Sequence, residues 1–137
     1  MRLYYKIRNK ISDFWYDLRV RFQRFKRGYS YSDVWDIDSW FMTMVKPMLI
    51  HLRDHGIGIP FDLYNHEDEN ERIDWENILT EMVECLDLMN EDAAQKYLNI
   101  ADDDYSIESY KKVNNLMDEK KNRFFELFSK YFFSLWD

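Results

Sequence analysis

Two histidines one helical turn apart, His51 and His55, have a spacing that suits a metal ion. On a continuous helix, side chains four residues apart lie on one face, as a pair of zinc ligands requires. The intervening residues lack the glutamate that metalloproteases place after the first histidine, and no third ligand has an obvious spacing. We therefore assign no metal ligand here and expect a polar patch near a helix end.

Acidic side chains recur every three residues at Glu81, Glu84 and Asp87, and would share one face of a helix. With carboxylates from another helix they could hold Mg²⁺, which prefers octahedral oxygen ligands. All-helical nucleotide pyrophosphatases use paired motifs of this kind, and only half of the pattern is present. A metal-dependent nucleotide hydrolase is thus one alternative. A solvated acidic face explains the same residues, and we assign no catalytic residue and no cofactor.

A third group combines positive charge with flat aromatic rings, at Arg24, Arg27, Tyr29, Tyr31 and Trp35. Guanidinium groups, stacking surfaces and the free N–H groups of a helix start can together bind a planar anionic ligand such as a nucleotide. In the alternative interpretation, the arginines pair with nearby aspartates and the rings pack the corner; these aspartates are Asp33, Asp36 and Asp38. We predict a ligand- or partner-binding site at the five residues and keep the structural alternative open.

The composition limits the class of protein. A chain of 137 residues can bury a core, and an aromatic content of 18% predicts packing dominated by Phe, Tyr and Trp. The single cysteine, Cys85, excludes an intrachain disulfide and a cysteine-based zinc site. The sequence has no run of eighteen apolar residues and no signal-peptide pattern. We expect a cytoplasmic protein without a membrane partner.

Charge is distributed unevenly along the chain. Residues 1–27 carry a net charge of about +7 and residues 28–137 about −14, within a formal total of −7. The acidic majority would repel phosphate backbones, which argues against nucleic acid as the partner. Binding of nucleic acid through the basic segment is kept as a second alternative.

Residues 3–27 are predicted to form a basic amphipathic helix. Its apolar stripe has steps of four and three and consists of Leu3, Ile7, Ile11, Phe14, Leu18, Phe22 and Phe25. Such a helix can bind a membrane surface or a nucleic-acid backbone. The regular stripe favours a third interpretation, in which the helix packs on the central helix of the fold.

The stretch from residue 28 to 56 is predicted to form that central helix, which we expect to be the most buried. Asp33 and Asp36 have the spacing of a capping box, which places the start of the helix near Asp33. Pro47 cannot donate a backbone hydrogen bond, so it predicts a kink or two shorter helices. Gly56 supplies the turn that ends the element.

Further helices are predicted after an acidic loop around His66. The first is capped by Asp74, a short one lies within residues 91–100, and the last runs from about Ile107 to Leu135. The end of the last helix, FFELFSKYFFSLWD, is apolar on nearly all sides. We expect it to be covered by the other helices or by a second copy of the chain, which predicts a homo-oligomer.

These elements predict an all-α fold, a compact helical bundle of about four main helices with the central helix kinked at Pro47. Only two prolines and three glycines favour long helices over strands and tight turns. We expect a single domain, residues 1–137, that comprises the basic helix (1–27) and an acidic helical body (28–137).

Three segments resemble a family of small accessory proteins common in tailed-phage genomes: RGYSYSDVWDID, DWENILTEMVEC and ELFSKYFFSLWD. The resemblance spans most of residues 24–137. Its most specific parts are the Arg-Gly-aromatic turn and the Ser-Leu-Trp ending. It implies a phage accessory protein and carries over no catalytic activity.

From this resemblance we predict a non-enzymatic binding protein that acts in the cytoplasm of an infected host cell. Small phage proteins without enzyme motifs commonly block a host defence protein or sequester a nucleotide signal. The expected partner is therefore a host protein or a nucleotide-like small ligand, by analogy alone.

Overall fold

The computed structural model describes residues 2–64 and 70–136, with side chains from residue 11 onward. No strand occurs in these ranges, and the predicted all-α helical bundle with four long helices is confirmed. The acidic loop predicted around His66 falls in 65–69, outside the described residues. The helices are α1 (Arg2–Arg27), α2 (Ile37–His55), α3 (Glu71–Leu88), α4 (Glu91–Tyr97) and α5 (Ile107–Lys130).

The chain divides into two compact units, Met1–Thr43 and Met44–Asp137. The division falls within α2, sixteen residues beyond the point where the charge of the sequence changes sign. We refer to these as the N-terminal unit and the C-terminal unit.

The core of the C-terminal unit lies around α3, which packs against both α5 and α4. Trp75, Leu79 and Met82 on α3 are fully buried, as is Phe124 on α5. The Tyr131 ring meets Trp75 edge-on, with centroids 5.4 Å apart. Buried aromatic pairs in this arrangement add about 0.5–1.5 kcal/mol to the stabilisation from area alone.

The prediction that the central helix is the most buried is wrong. In α2 only Leu49 and Leu52 are buried, whereas α3 has six buried residues. The reason is that α3 is covered from two sides, by α4 and by α5. The alternative of two shorter helices is also wrong, because α2 continues through Pro47.

Two helices begin at residues other than those predicted. A short 3-10 turn at Asp33–Trp35 precedes α2, which begins at Ile37 and not near Asp33. The third helix begins at Glu71, three residues before Asp74, and the ion pair from Arg72 to Glu76 supports its first turn.

The predicted packing of the α1 stripe is wrong for its described side chains, which are all exposed. The fractions exposed are 54% at Ile11, 61% at Phe14, 47% at Leu18, 63% at Phe22 and 89% at Phe25. Periodicity identified the apolar face of this helix correctly but could not identify what covers it.

The aromatic C-terminal segment is only partly buried. Phe124, Leu127 and Tyr131 point into the core, whereas Phe133 is 90% exposed and Trp136 is 65% exposed. The helix ends at Lys130 and a 3-10 turn follows at Phe132–Ser134. The predicted self-association through this segment stays a prediction.

None of the described helices combines the length and the apolar character that a membrane-spanning segment needs.

Candidate functional site

A tight turn after α1 begins the candidate site in the N-terminal unit. The Gly28 N–H donates to the Arg24 carbonyl oxygen at 2.7 Å, and Gly28 has a φ of 79°. This left-handed conformation ends the helix and suits glycine because it has no Cβ. The chain is thereby folded back along the last turns of α1.

An ion pair fixes the returning chain to the helix. Arg24 donates from Nε to Asp33 Oδ2 at 3.0 Å and from Nη2 to Asp33 Oδ1 at 2.6 Å. The Ser30 N–H donates to the same Asp33 Oδ2 at 2.7 Å. The Arg24 guanidinium and the Ser30 N–H hold the pKa of Asp33 far below its usual range. The Asp33 carboxylate thus accepts the hydrogen bonds that hold this turn, instead of taking its predicted capping role.

Arg27 contributes its guanidinium as a planar surface. Its Cζ atom lies 4.4 Å from the centroid of the Tyr31 ring and 5.5 Å from that of Tyr29. Such cation–π contacts stabilise exposed sites by about 0.5–1 kcal/mol. The pKa of the Tyr31 hydroxyl is lowered by Arg27 and, to a smaller extent, by the charge of Arg19. Positive charge from two arginines therefore converges on Tyr31.

Between α1 and the turn lies an open groove of about 440 Å³, which we call the corner groove. Trp35 stands at this groove with 91% of its side chain exposed, and Tyr31 is 58% exposed. The backbone N–H of Tyr31 donates to Gln23 Oε1 at 3.0 Å, which fixes the turn on α1 a second time. The lining consists of Tyr16, Arg19, Val20, Gln23, Tyr31, Ser32 and Trp35.

The five predicted site residues occupy different positions in the structure. Arg27 lies with Tyr29 and Tyr31, whereas Tyr31 and Trp35 line the corner groove. Arg24 follows the structural alternative, because Asp33 occupies its guanidinium. The other two aspartates of that alternative act on each other: Asp38 raises the pKa of Asp36.

Sequence reasoning missed five groove residues, which are Tyr16, Arg19, Val20, Gln23 and Ser32. A signal for two of them was present, because Tyr16, Gln23 and Arg27 follow helical steps on the face of α1 opposite to the apolar stripe. The 28–36 turn covers that face. The composition of this face does not indicate that it is covered, because its residues are polar and would suit solvent equally well.

The histidine pair lies as predicted on one helical face. The rings of His51 and His55 stack with centroids 4.6 Å apart, and His55 Nδ1 is 3.3 Å from the His51 carbonyl oxygen. Within residues 2–64 and 70–136, no three histidine, cysteine or acidic side chains come together in a metal-binding cluster.

Two of the acidic side chains on α3 are occupied by cations. Arg123 on α5 donates to Glu81 from Nε at 2.6 Å and from Nη2 at 3.1 Å, and this lowers the pKa of Glu81. Lys46 forms an ion pair with Asp87. Cys85 is buried beside them, and burial raises the pKa of its thiol, as expected for a structural cysteine. This face supplies ion pairs between helices.

In comparisons with known proteins, the chain matches no protein family, no curated protein and no solved structure. Its function is therefore inferred from the geometry of its own residues.

Proposed function

We propose that the protein is a non-enzymatic binding protein that holds a nucleotide-like, planar anionic ligand in the corner groove. The observation that carries this proposal is the exposed Trp35 ring at a groove also lined by Arg19 and Tyr31. An aromatic ring in water beside cations offers a stacking surface for a base and a counter-charge for phosphate.

Each residue has a separate role in this proposal. The base stacks on Trp35, and the phosphate accepts hydrogen bonds from Arg19 and Arg27. The Arg27 guanidinium already lies over the Tyr31 ring, so it loses little conformational freedom on binding. Arg24 is a positioning residue, because it holds Asp33 and with it the turn that carries Trp35.

The resemblance to tailed-phage accessory proteins supports a biological setting for such binding. In the cytoplasm of an infected host cell, a protein that sequesters a nucleotide signal would act against host defence. Self-association through the exposed C-terminal rings belongs to the same proposal; Phe133 and Trp136 are the most exposed of them. Oligomers would present several corner grooves to one pool of ligand.

The first test is a native mass spectrum of the protein as purified from cells. We expect an added mass in the nucleotide range and an oligomeric state above the monomer. Incubation with nucleotides and Mg²⁺ should leave the nucleotides unchanged; their hydrolysis would contradict the non-enzymatic assignment.

Calorimetry then identifies the residues, with adenosine monophosphate, a cyclic dinucleotide and uncharged adenosine as probes. Trp35→Ala should weaken binding about 5- to 150-fold, since stacking on an aromatic ring contributes about 1–3 kcal/mol per base. The double variant R19A/R27A should abolish the preference for phosphate over adenosine. The matched control is the double variant R21A/K26A, which also removes two charges from α1 but away from the groove lining. The proposal fails if no probe binds, or if R21A/K26A weakens binding as much as R19A/R27A.

A further inference from the structure

The apolar stripe of α1 is a second surface that the corner groove does not use. Its described members, Ile11, Phe14, Leu18, Phe22 and Phe25, are each between 47% and 89% exposed. Single apolar residues on a surface are ordinary, but a continuous row of this length marks an interaction site. The groove residues Tyr16, Val20 and Gln23 lie on the opposite face, so both surfaces can be occupied at once.

The course of the stripe along the helix is compatible with a flat partner. Ile11 and Phe14 recur eleven residues later as Phe22 and Phe25. A repeat of eleven residues corresponds to about 3.67 residues per turn, close to the 3.6 of a straight helix. The stripe therefore runs nearly parallel to the helix axis. A left-handed coiled coil requires an apolar repeat of about 3.5 residues per turn. A row with about 3.67 residues per turn would drift away from the partner helix in such a coil.

The charges beside the stripe indicate the chemistry of that partner. At about 100° per residue, Lys26 lies along one edge of the stripe and Arg21 lies along the other. Trp15, at the border of the stripe, is 63% exposed. Long basic side chains at both edges of an aromatic face can reach lipid phosphates while the rings enter the apolar boundary.

We propose that α1 binds an anionic lipid surface, lying in the plane of the headgroups with its apolar stripe inserted. Residues 1–27, with a net charge of about +7, supply the attraction to anionic lipid. A nucleic acid would satisfy the charges and leave the phenyl rings in water. The proposal is independent of a ligand in the corner groove.

The test is co-sedimentation of the full-length protein with vesicles of phosphatidylcholine and phosphatidylglycerol at about 3 to 1. Vesicles of phosphatidylcholine alone are the comparison. We expect binding to the anionic vesicles that falls with added salt, and much weaker binding to neutral ones. The double variant F22A/F25A should lower the partition coefficient on the order of 100-fold, since each lost phenyl ring costs about a factor of ten.

A control of the same type is available in the C-terminal unit. Phe61 is 87% exposed, against 89% for Phe25, so Phe61→Ala removes a similarly exposed ring and should leave vesicle binding unchanged. Circular dichroism checks that the variants keep their helix content. If F22A/F25A loses helix, R21Q/K26Q replaces it, with an expected loss of more than tenfold on anionic vesicles only.

Three results would overturn the proposal. The first is absence of wild-type binding to anionic vesicles, or equal binding to neutral ones. The second is vesicle binding by F22A/F25A at the wild-type level. The third is a wild-type oligomer that becomes monomeric in F22A/F25A without vesicle binding, which would assign the stripe to a second copy of the chain. Calorimetry of F22A/F25A with nucleotides tests the corner groove separately.

Discussion

The two units use the same kinds of residue in opposite ways. In the C-terminal unit, Trp75, Phe124 and Tyr131 are at most 3% exposed and meet in one core. In the N-terminal unit, Ser30 is the one buried residue among the described side chains, and Phe25 and Trp35 are about nine-tenths exposed. Aromatic content therefore does not by itself indicate a core.

What differs between the units is the number of elements that can cover an apolar face. In the C-terminal unit α3, α4 and α5 pack against one another, so each buries its stripe. In the N-terminal unit the 28–36 turn lies on the polar side of α1 and leaves the stripe in solvent. The C-terminal unit buries its apolar side chains in a core, whereas the N-terminal unit leaves most of its apolar side chains exposed on the surface.

The largest expected effect is the loss of a core ring. Phe124→Ala should destabilise the C-terminal unit by about 3–5 kcal/mol, because this ring is fully buried on α5, which packs against α3, and its loss leaves a cavity in the core. Chemical denaturation followed by tryptophan fluorescence measures the change. Phe22→Ala, at a ring that is 63% exposed, should change the stability by no more than about 0.5 kcal/mol. Equal losses at the two positions would refute the contrast between the units.

Much of the fold could be predicted from sequence. The spacing of apolar residues predicted α1, α2 and α3, because a 3.6-residue period is a local property; a short helix within residues 91–100 and a last helix from about Ile107 were also predicted. The predicted burial of the central helix was wrong, because burial depends on which other helices cover a stripe and not on the local spacing of its residues. Its stripe is as regular as that of α3, but α3 is covered by two other helices and α2 keeps only Leu49 and Leu52 buried.

The candidate site was predictable only in part. Arg27, Tyr31 and Trp35 were found because guanidinium and aromatic groups cluster in sequence. The groove itself depends on two contacts that hold the turn on α1, from Arg24 to Asp33 and from the Tyr31 N–H to Gln23. The contact between Arg24 and Asp33 was weighed as an alternative to binding, whereas in the structure it positions the residues that would bind. Arg19 enters the groove as a consequence of this fold.

Acid should affect the N-terminal unit through that contact. Asp33 has a folded-state pKa far below the usual value of about 4, so its stabilisation is present above pH 4 and is lost as the pH falls through the folded-state pKa. The Ser30 amide, which donates to Asp33, reports this titration in ¹H–¹⁵N NMR spectra. Its midpoint should lie well below pH 4 and move upward in Arg24→Ala. A wild-type midpoint near 4 would show that the ion pair is not formed in solution.

The smallest expected effects are those that distinguish the roles of Arg24 and Arg27. Arg27→Ala removes a cation–π contact and should cost no more than about 1 kcal/mol, while nucleotide binding weakens. Arg24→Ala should instead speed hydrogen exchange at the Ser30 amide, because Asp33 loses its cation and the turn opens more often. Combined with Asp33→Asn, the Arg24 change should be strongly non-additive and the Arg27 change additive, because only Arg24 pairs with Asp33. If the two arginines behave alike in this cycle, Arg24 is not the positioning residue, and both then belong to the binding surface.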